Sequence, residues 1–368
     1  GTLAPLFTLR NIEVIDLSSN VLSGSIAEAI GSLSTLKQLF LTENRLTGSI
    51  PGSLSSLGEL RVLCLDGNAL SGALSPGIGS MSKLTVLALQ DNKLNGPIPD
   101  LRGLTALRSL DLSRNRFEGK VPSLSTLSGL RVFACQGPGY GKGRLSGGLS
   151  SLLNTRTSGS VMQLVRLDLS SHVLSADLPL GLRALHLLEA RARTKMCRSI
   201  LIICENNLKG LLPEWLGELG FLRYVDLSVN LLQGPVPVSL AELPHLETLL
   251  LQDNALDGEL PVGFAAALQS RGIRKFTFDG HKKRRGRARR ATVVETYRPP
   301  PTGSNSKQGE KACSGFLVRP FEDSEKNDEH SVESNALTNE RTSGTSLATS
   351  TDEERESPPT RRRDTELI

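Results

Sequence analysis

Large apolar residues recur through most of the chain at a spacing that is neither helical nor strictly alternating. IEVIDLSSNVLSGSI from Ile12, LKQLFLTENRLTGSIP from Leu36, LRVLCLDGNALSGAL from Leu60 and LTVLALQDNKLNGPIP from Leu84 share the frame LxxLxLxxNxLxGxIP. The frame returns as LRSLDLSRNRFEGKVP from Leu107, LRYVDLSVNLLQGPVP from Leu222 and LETLLLQDNALDGELP from Leu246. Asn20, Asn44, Asn68 and Asn92 lie 24 residues apart, Asn115 follows after 23, and Asn206, Asn230 and Asn254 resume the step of 24.

Each fixed position has a physical reason. The xLxLx segment predicts a short strand with its leucines facing inward and the residues between them outward. The Asn falls where the chain turns, so its amide can bond backbone groups of its own and adjacent coils and form a ladder. Gly permits a tight or left-handed turn, and Pro closes the second extended stretch without needing a donor. One coil cannot bury its leucines, but a stack can. The frame resembles the leucine-rich repeat, and LxGxIP resembles its plant-specific form. That form occurs in ectodomains of plant receptor-like kinases and receptor-like proteins and in polygalacturonase-inhibiting proteins. The resemblance implies an α/β repeat solenoid of about ten coils over residues 1–281, with a parallel sheet on its concave face.

Two stretches depart from the frame. Between Asn115 and His172, which occupies a ladder slot, the chain spends 57 residues, nine more than two regular coils. Residues 135–163 are therefore irregular, with Pro138 in another ladder slot. GPGYGKGR there matches no phosphate loop and is expected to be an excursion on the convex side. A second surplus, ten residues between Pro179 and Asn206, falls at about 189–200, after which LIICEN resumes the strand with Leu201 and Ile203 inward.

Outward strand positions of such a stack form one continuous surface, the natural place for a partner. Several coils carry the common LDLSxN, with Asp16, Asp111, Asp168 and Asp226, and those rungs read as featureless. Coils two to four depart together. Phe40, Cys64 and Ala88 form one column, Thr42, Asp66 and Gln90 the next, with Gln38, Val62 and Val86 alongside. An outward Phe among small residues and hydrogen-bonding groups is a candidate anchor. Leu250 and Gln252, with Asp253, make a lesser patch in the tenth coil.

Composition narrows the chemistry. The five cysteines, Cys64, Cys135, Cys197, Cys204 and Cys313, form no CxxC pair, so neither a disulfide framework nor a metal site is expected. The five histidines are scattered and none lies in a catalytic motif. No enzyme and no cofactor are expected, only recognition of a peptide, glycan or protein ligand on the concave face. The resemblance adds a co-receptor as a possible partner and a role in signalling or defence. An intracellular scaffold and a secreted inhibitor of a wall-degrading enzyme are the alternatives.

IRKFTFDGH ends the periodic region as a half-coil, with Ile273, Phe276 and Phe278 inward and His281 in the Asn slot. HKKRRGRARR follows, its basic run over residues 282–290 open to three readings: juxtamembrane, nuclear-import or solvated arm. Nucleic-acid binding is not expected, because neither aromatics nor a folded basic face accompany the run. Residues 291–368 are rich in Pro, Ser, Thr, Glu and Asp, which predicts a disordered polar tail. In the receptors that the frame resembles, a cap and an apolar helix separate half-coil and basic run. Here neither stands between them, and no signal peptide is visible at the N-terminus. Membrane attachment at the outer cell face is therefore expected only if such segments belong to a longer protein; the sequence as given reads as soluble.

Overall fold

A computed structural model describes residues 1, 3–139, 143–150, 152, 164–183 and 199–279. The expectations for residues 282–290 and 291–368, and for most of 189–200, lie outside the described residues.

Eleven short strands stack in chain order into one parallel sheet. They are called rungs 1 to 11: Val14–Asp16, Gln38–Phe40, Val62–Cys64, Val86–Ala88, Ser109–Asp111, Val132–Ala134, Arg166–Asp168, Ser199–Ile202, Leu222–Asp226, Thr248–Leu250 and Lys275–Thr277. A strand of three residues gains little alone. Each is held because its central apolar residue, such as Leu39, Leu63 or Leu87, is buried against the next coil. On the far side of the core, short 3-10 turns such as Gly52–Ser56, Pro76–Ser80 and Glu214–Glu218 carry Leu54, Ile78 and Leu216 inward. The tenth coil replaces the turn with a short α-helix, Phe264–Ser270. Among the described residues, no helix is long and apolar enough to cross a membrane.

The LxGxIP half of the frame forms a second parallel sheet at the side of the stack. Its six strands are Ser71–Gly72, Lys93–Pro97, Arg116–Lys120, Leu145–Gly147, Val173–Ala176 and Asn207–Leu208. Gly72 (φ 81°), Gly96 (φ 75°) and Gly119 (φ 88°) adopt left-handed backbone there, which the absence of a Cβ allows.

The ladder is continuous where asparagine is present. Asn44 donates from Nδ2 to the carbonyl of Leu17 (2.8 Å) in the preceding coil and accepts from the Leu22 N–H (2.9 Å) at Oδ1. Asn68, Asn92, Asn115, Asn206, Asn230 and Asn254 repeat this pattern, donating back to Leu41, Leu65, Leu89, Leu169, Ile203 and Leu227. Asn20, in the first coil, bonds only Leu17 and Ser18 of its own turn among the described residues.

Neither irregular stretch interrupts the concave sheet. Rung 6 pairs in register with rungs 5 and 7 although Pro138 occupies its ladder slot. Rung 8 joins both neighbours, with one register shift between Ser199 and Ile200. Gly143, at the end of the first excursion, abuts the Arg116 backbone, where an added Cβ would come within 2.4 Å; residues 140–142, the rest of GPGYGKGR's centre, lie outside the described residues. His172 fills its slot with both ring nitrogens. Nδ1 accepts the Leu145 N–H (3.2 Å), so Nε2 carries the proton and donates to the Cys135 carbonyl (2.6 Å).

Candidate functional site: the concave face of rungs 2 to 5

The register places the singled-out residues side by side. Gln38 pairs with Val62 and Val62 with Val86; Phe40 pairs with Cys64, Cys64 with Ala88, and Ala88 with Asp111. Neighbouring strands lie about 4.8 Å apart, so these side chains touch. Val62, Cys64 and Ala88 are buried, forming with Phe40 and Val86 a small apolar cluster separate from the main core. The sequence pattern treats all five positions as outward and accessible. The structure leaves Phe40 and Val86 half-buried at the surface and covers the smaller residues between them, because side chains on adjacent rungs are too close to leave a Cys or Ala open. The Cys64 thiol, pushed up to about 12 by burial and then by the nearby Asp66 and Asp16 carboxylates, is inert at neutral pH.

Thr42, Asp66 and Gln90 follow the strands as a polar row. The ladder runs on beneath them: Glu43 N–H donates to Asp66 O (2.9 Å), Gly67 N–H to Gln90 O (3.0 Å) and Asp91 N–H to Ser113 O (3.0 Å). Thr42 Oγ1 donates to Asp66 Oδ1 (2.9 Å). Gln90 Oε1 is buried and accepts no hydrogen bond among the described residues. Asp111, which the sequence reading set aside as part of LDLSxN, belongs to this patch. It lies next to Ala88 and accepts the Ser113 N–H (2.9 Å). Burial raises the pKa of both Asp66 and Asp111, and the Asp111 charge adds to the effect on Asp66.

The opposite edge of the sheet is basic. Lys37, Arg61, Arg108 and Arg131 precede rungs 2, 3, 5 and 6, and backbone bonds link them through Thr85 into one column. Lys37 pairs with Glu13 (2.7 Å), and Arg61, Arg108 and Arg131 are exposed. This column precedes the strand positions, where the repeat frame leaves the residue free, so the frame carries no signal for it. The face thus runs from a basic edge across an apolar belt to a polar row.

Leu250 and Gln252 lie at rung 10, five rungs beyond this patch. Leu250 is buried, and Gln252 Oε1 accepts from Thr277 Oγ1. Neither joins the patch of rungs 2 to 5. Among the described residues, no group of three His, Cys, Asp or Glu side chains is placed to hold a metal ion.

Comparison with known proteins agrees with the repeat architecture. The leucine rich repeat family matches residues 10–70 and 199–256, and a second leucine rich repeat pattern matches residues 106–127. No curated protein matches the chain. Among solved structures, the ectodomain of the Arabidopsis receptor kinase HAESA, in complex with an N-terminally extended IDA peptide hormone, is 31% identical. That match covers 72% of this chain and 41% of HAESA's, with a TM-score of 0.60. A TDR receptor is 28% identical over 71% of this chain and 42% of its own (TM-score 0.61). PEPR1 with AtPEP1 is 26% identical over 74% and 42% (TM-score 0.57). The chain thus spans about two-fifths of the length of these receptor chains. With its ladder, its second side sheet and these matches, the chain has the leucine-rich repeat fold and is similar to the plant type of repeat found in receptor-kinase ectodomains.

Proposed function

We propose that the concave face of rungs 2 to 5 binds a peptide segment, and that this binding is the recognition step of a plant-type receptor acting in signalling or defence. The observation that carries the reading is the separate apolar cluster around Phe40 and Val86, bordered by the Thr42, Asp66 and Gln90 row. An apolar centre ringed by hydrogen-bonding groups is the anatomy of a recognition surface. The HAESA and PEPR1 structures, solved with peptide ligands, support the reading by likeness. In this reading the work is binding rather than catalysis, and the signal passes on through a co-receptor that meets the ligand-bound face.

A displayed library of short linear peptides, panned on the immobilised full chain, tests it. Enriched peptides should lose about tenfold or more in affinity with Phe40→Ala, the loss expected for a central anchor. Enriched peptides indifferent to both Phe40→Ala and Val86→Asp would sink the reading.

A further inference from the structure

The column along the basic edge of the sheet has its charges balanced at both ends and not in its middle. At one end Glu13 holds Lys37 (2.7 Å). At the other, backbone bonds stack Arg223, Glu247 and Arg274 on consecutive coils, and the Glu247 carboxylate bridges the two arginines, at 2.7 Å to Arg223 and 3.2 Å to Arg274. The same order recurs on rungs 3 to 5 with one change: Arg61, Thr85 and Arg108 are stacked by the same backbone bonds, and Thr85 stands where the bridging acid stands in the other triplet. Arg61 and Arg108 are exposed and have no ion pair among the described residues. Glu59 lies near Arg61 but is bound to Lys83 (2.6 Å). The Thr85 hydroxyl donates to the Arg61 carbonyl (2.9 Å) and supplies no charge. Two guanidinium groups two strand spacings apart, about 9.6 Å, therefore flank a gap that in the second triplet is filled by a carboxylate.

Resting on the peptide-binding reading above, we propose that this gap takes a carboxylate from the ligand, so that the face selects peptides in which Asp or Glu stands beside a large apolar residue. The acid lies over Thr85 between Arg61 and Arg108, as Glu247 lies between Arg223 and Arg274. The apolar neighbour follows from the chain itself. Thr85 and Val86 are consecutive, so the gap borders the belt of Val86 and Phe40 directly, about 3.3 Å along the strand. An extended segment running along the stack turns successive side chains to opposite sides, one to the basic edge and the next to the belt. Arginine suits this edge, because its planar fork of donors matches a carboxylate and keeps its charge at any physiological pH. The charge pairs lie at the rim of the apolar belt, so they set partner choice and orientation more than total affinity.

The same peptide library, panned on the full chain as wild type, as Arg61→Gln/Arg108→Gln and as Thr85→Glu, tests the proposal. Wild type should enrich peptides with Asp or Glu next to Leu, Ile, Phe or Trp. The double variant should lose the acidic preference, and so should Thr85→Glu, which supplies the bridging carboxylate from within the chain. For one enriched peptide, replacing its acid by the matching amide should weaken binding to wild type about tenfold, the sum of two exposed charge pairs, and to either variant less than about threefold. An acidic preference that survives Thr85→Glu would overturn the inference. Enrichment that is abolished by Phe40→Ala but shows no acidic preference would overturn it and leave the peptide-binding reading standing. Retention of an acidic polysaccharide with no acidic peptide enriched would also overturn it. No peptide enriched on wild type would overturn both. Far-UV circular dichroism of the variants separates a lost preference from a lost fold.

Discussion

His172 gives the stack a pH dependence whose sign and size follow from its surroundings. The ring is 3% exposed, and its pKa falls to about 4, chiefly because burial penalises the charged form and further because Arg144 is close. The Cys135 carbonyl and the Asp168 carboxylate act against that fall. In the unfolded chain the imidazole titrates near 6.5, so below that pH the unfolded state takes up a proton that the folded state refuses. Stability is therefore unaffected by this group above about pH 6.5, is lost as pH falls through the window to about 4, and changes no further below it. At 1.36 kcal/mol per pH unit, the full loss is about 3 kcal/mol. Structurally, a second proton on Nδ1 would face the Leu145 N–H it now accepts from. Urea unfolding followed by far-UV circular dichroism, with the single tryptophan Trp215 as a fluorescence probe, measures this between pH 7 and 4. His172→Asn should fold and should lose about 3 kcal/mol of the pH dependence relative to wild type. Carboxylates titrate equally in both proteins, so the difference isolates the imidazole. Parallel curves for wild type and His172→Asn would refute the argument.

Three further outcomes follow from the same geometry. Asn115→Ala, which removes a buried amide bonded to Leu94, Leu89 and Leu112, should cost about 3 kcal/mol in urea unfolding, whereas Asn20→Ala, exposed and bonded only within its own turn, should cost under about 0.5 kcal/mol. Val229 holds left-handed backbone (φ 54°), a strained state for a β-branched residue, so Val229→Asn should raise stability by about 1 kcal/mol in the same assay. Asp66→Asn should raise the melting temperature at pH 7. Because the folded-state pKa of Asp66 is raised, that gain should shrink as pH falls through it; a gain equal at pH 7 and pH 3 would contradict a burial cause.

The stack was legible because its determinants are local and repeated. Leu39 and Leu41, or Leu63 and Leu65, alternate within one strand, and the 24-residue step to the next Asn fixes which coil meets which. Even the strand after the longer surplus, with Leu201 and Ile203 inward, follows from its own alternation. What could not be read depends on neighbours a full coil away. The accessibility of Cys64 is set by Phe40 before it and Ala88 after it, and nothing within its own coil encodes that. Asp111 was hidden for the opposite reason. Its coil reads as LDLSRN like several others, and only the register with Ala88 brings it beside Gln90. The left-handed slot before each ladder residue, filled by residues as different as Ser19, Glu43, Arg114 and Val229, has no composition signal at all.

The ladder slot at Pro138 also bears on how the molecule comes apart. Each coil touches only the next, so cooperativity in such a stack is the sum of its interfaces, and it can be cut wherever one interface is weak. With no side-chain amide at Pro138, that interface lacks the bridge which the runs from Asn44 to Asn115 and from Asn206 to Asn254 have, and which His172 supplies in the following slot, so the stack is coupled more loosely at Pro138. Thermal opening then starts from within as well as from the ends. The stack is expected to part at this coil on unfolding, with the candidate patch of rungs 2 to 5 wholly inside the first half.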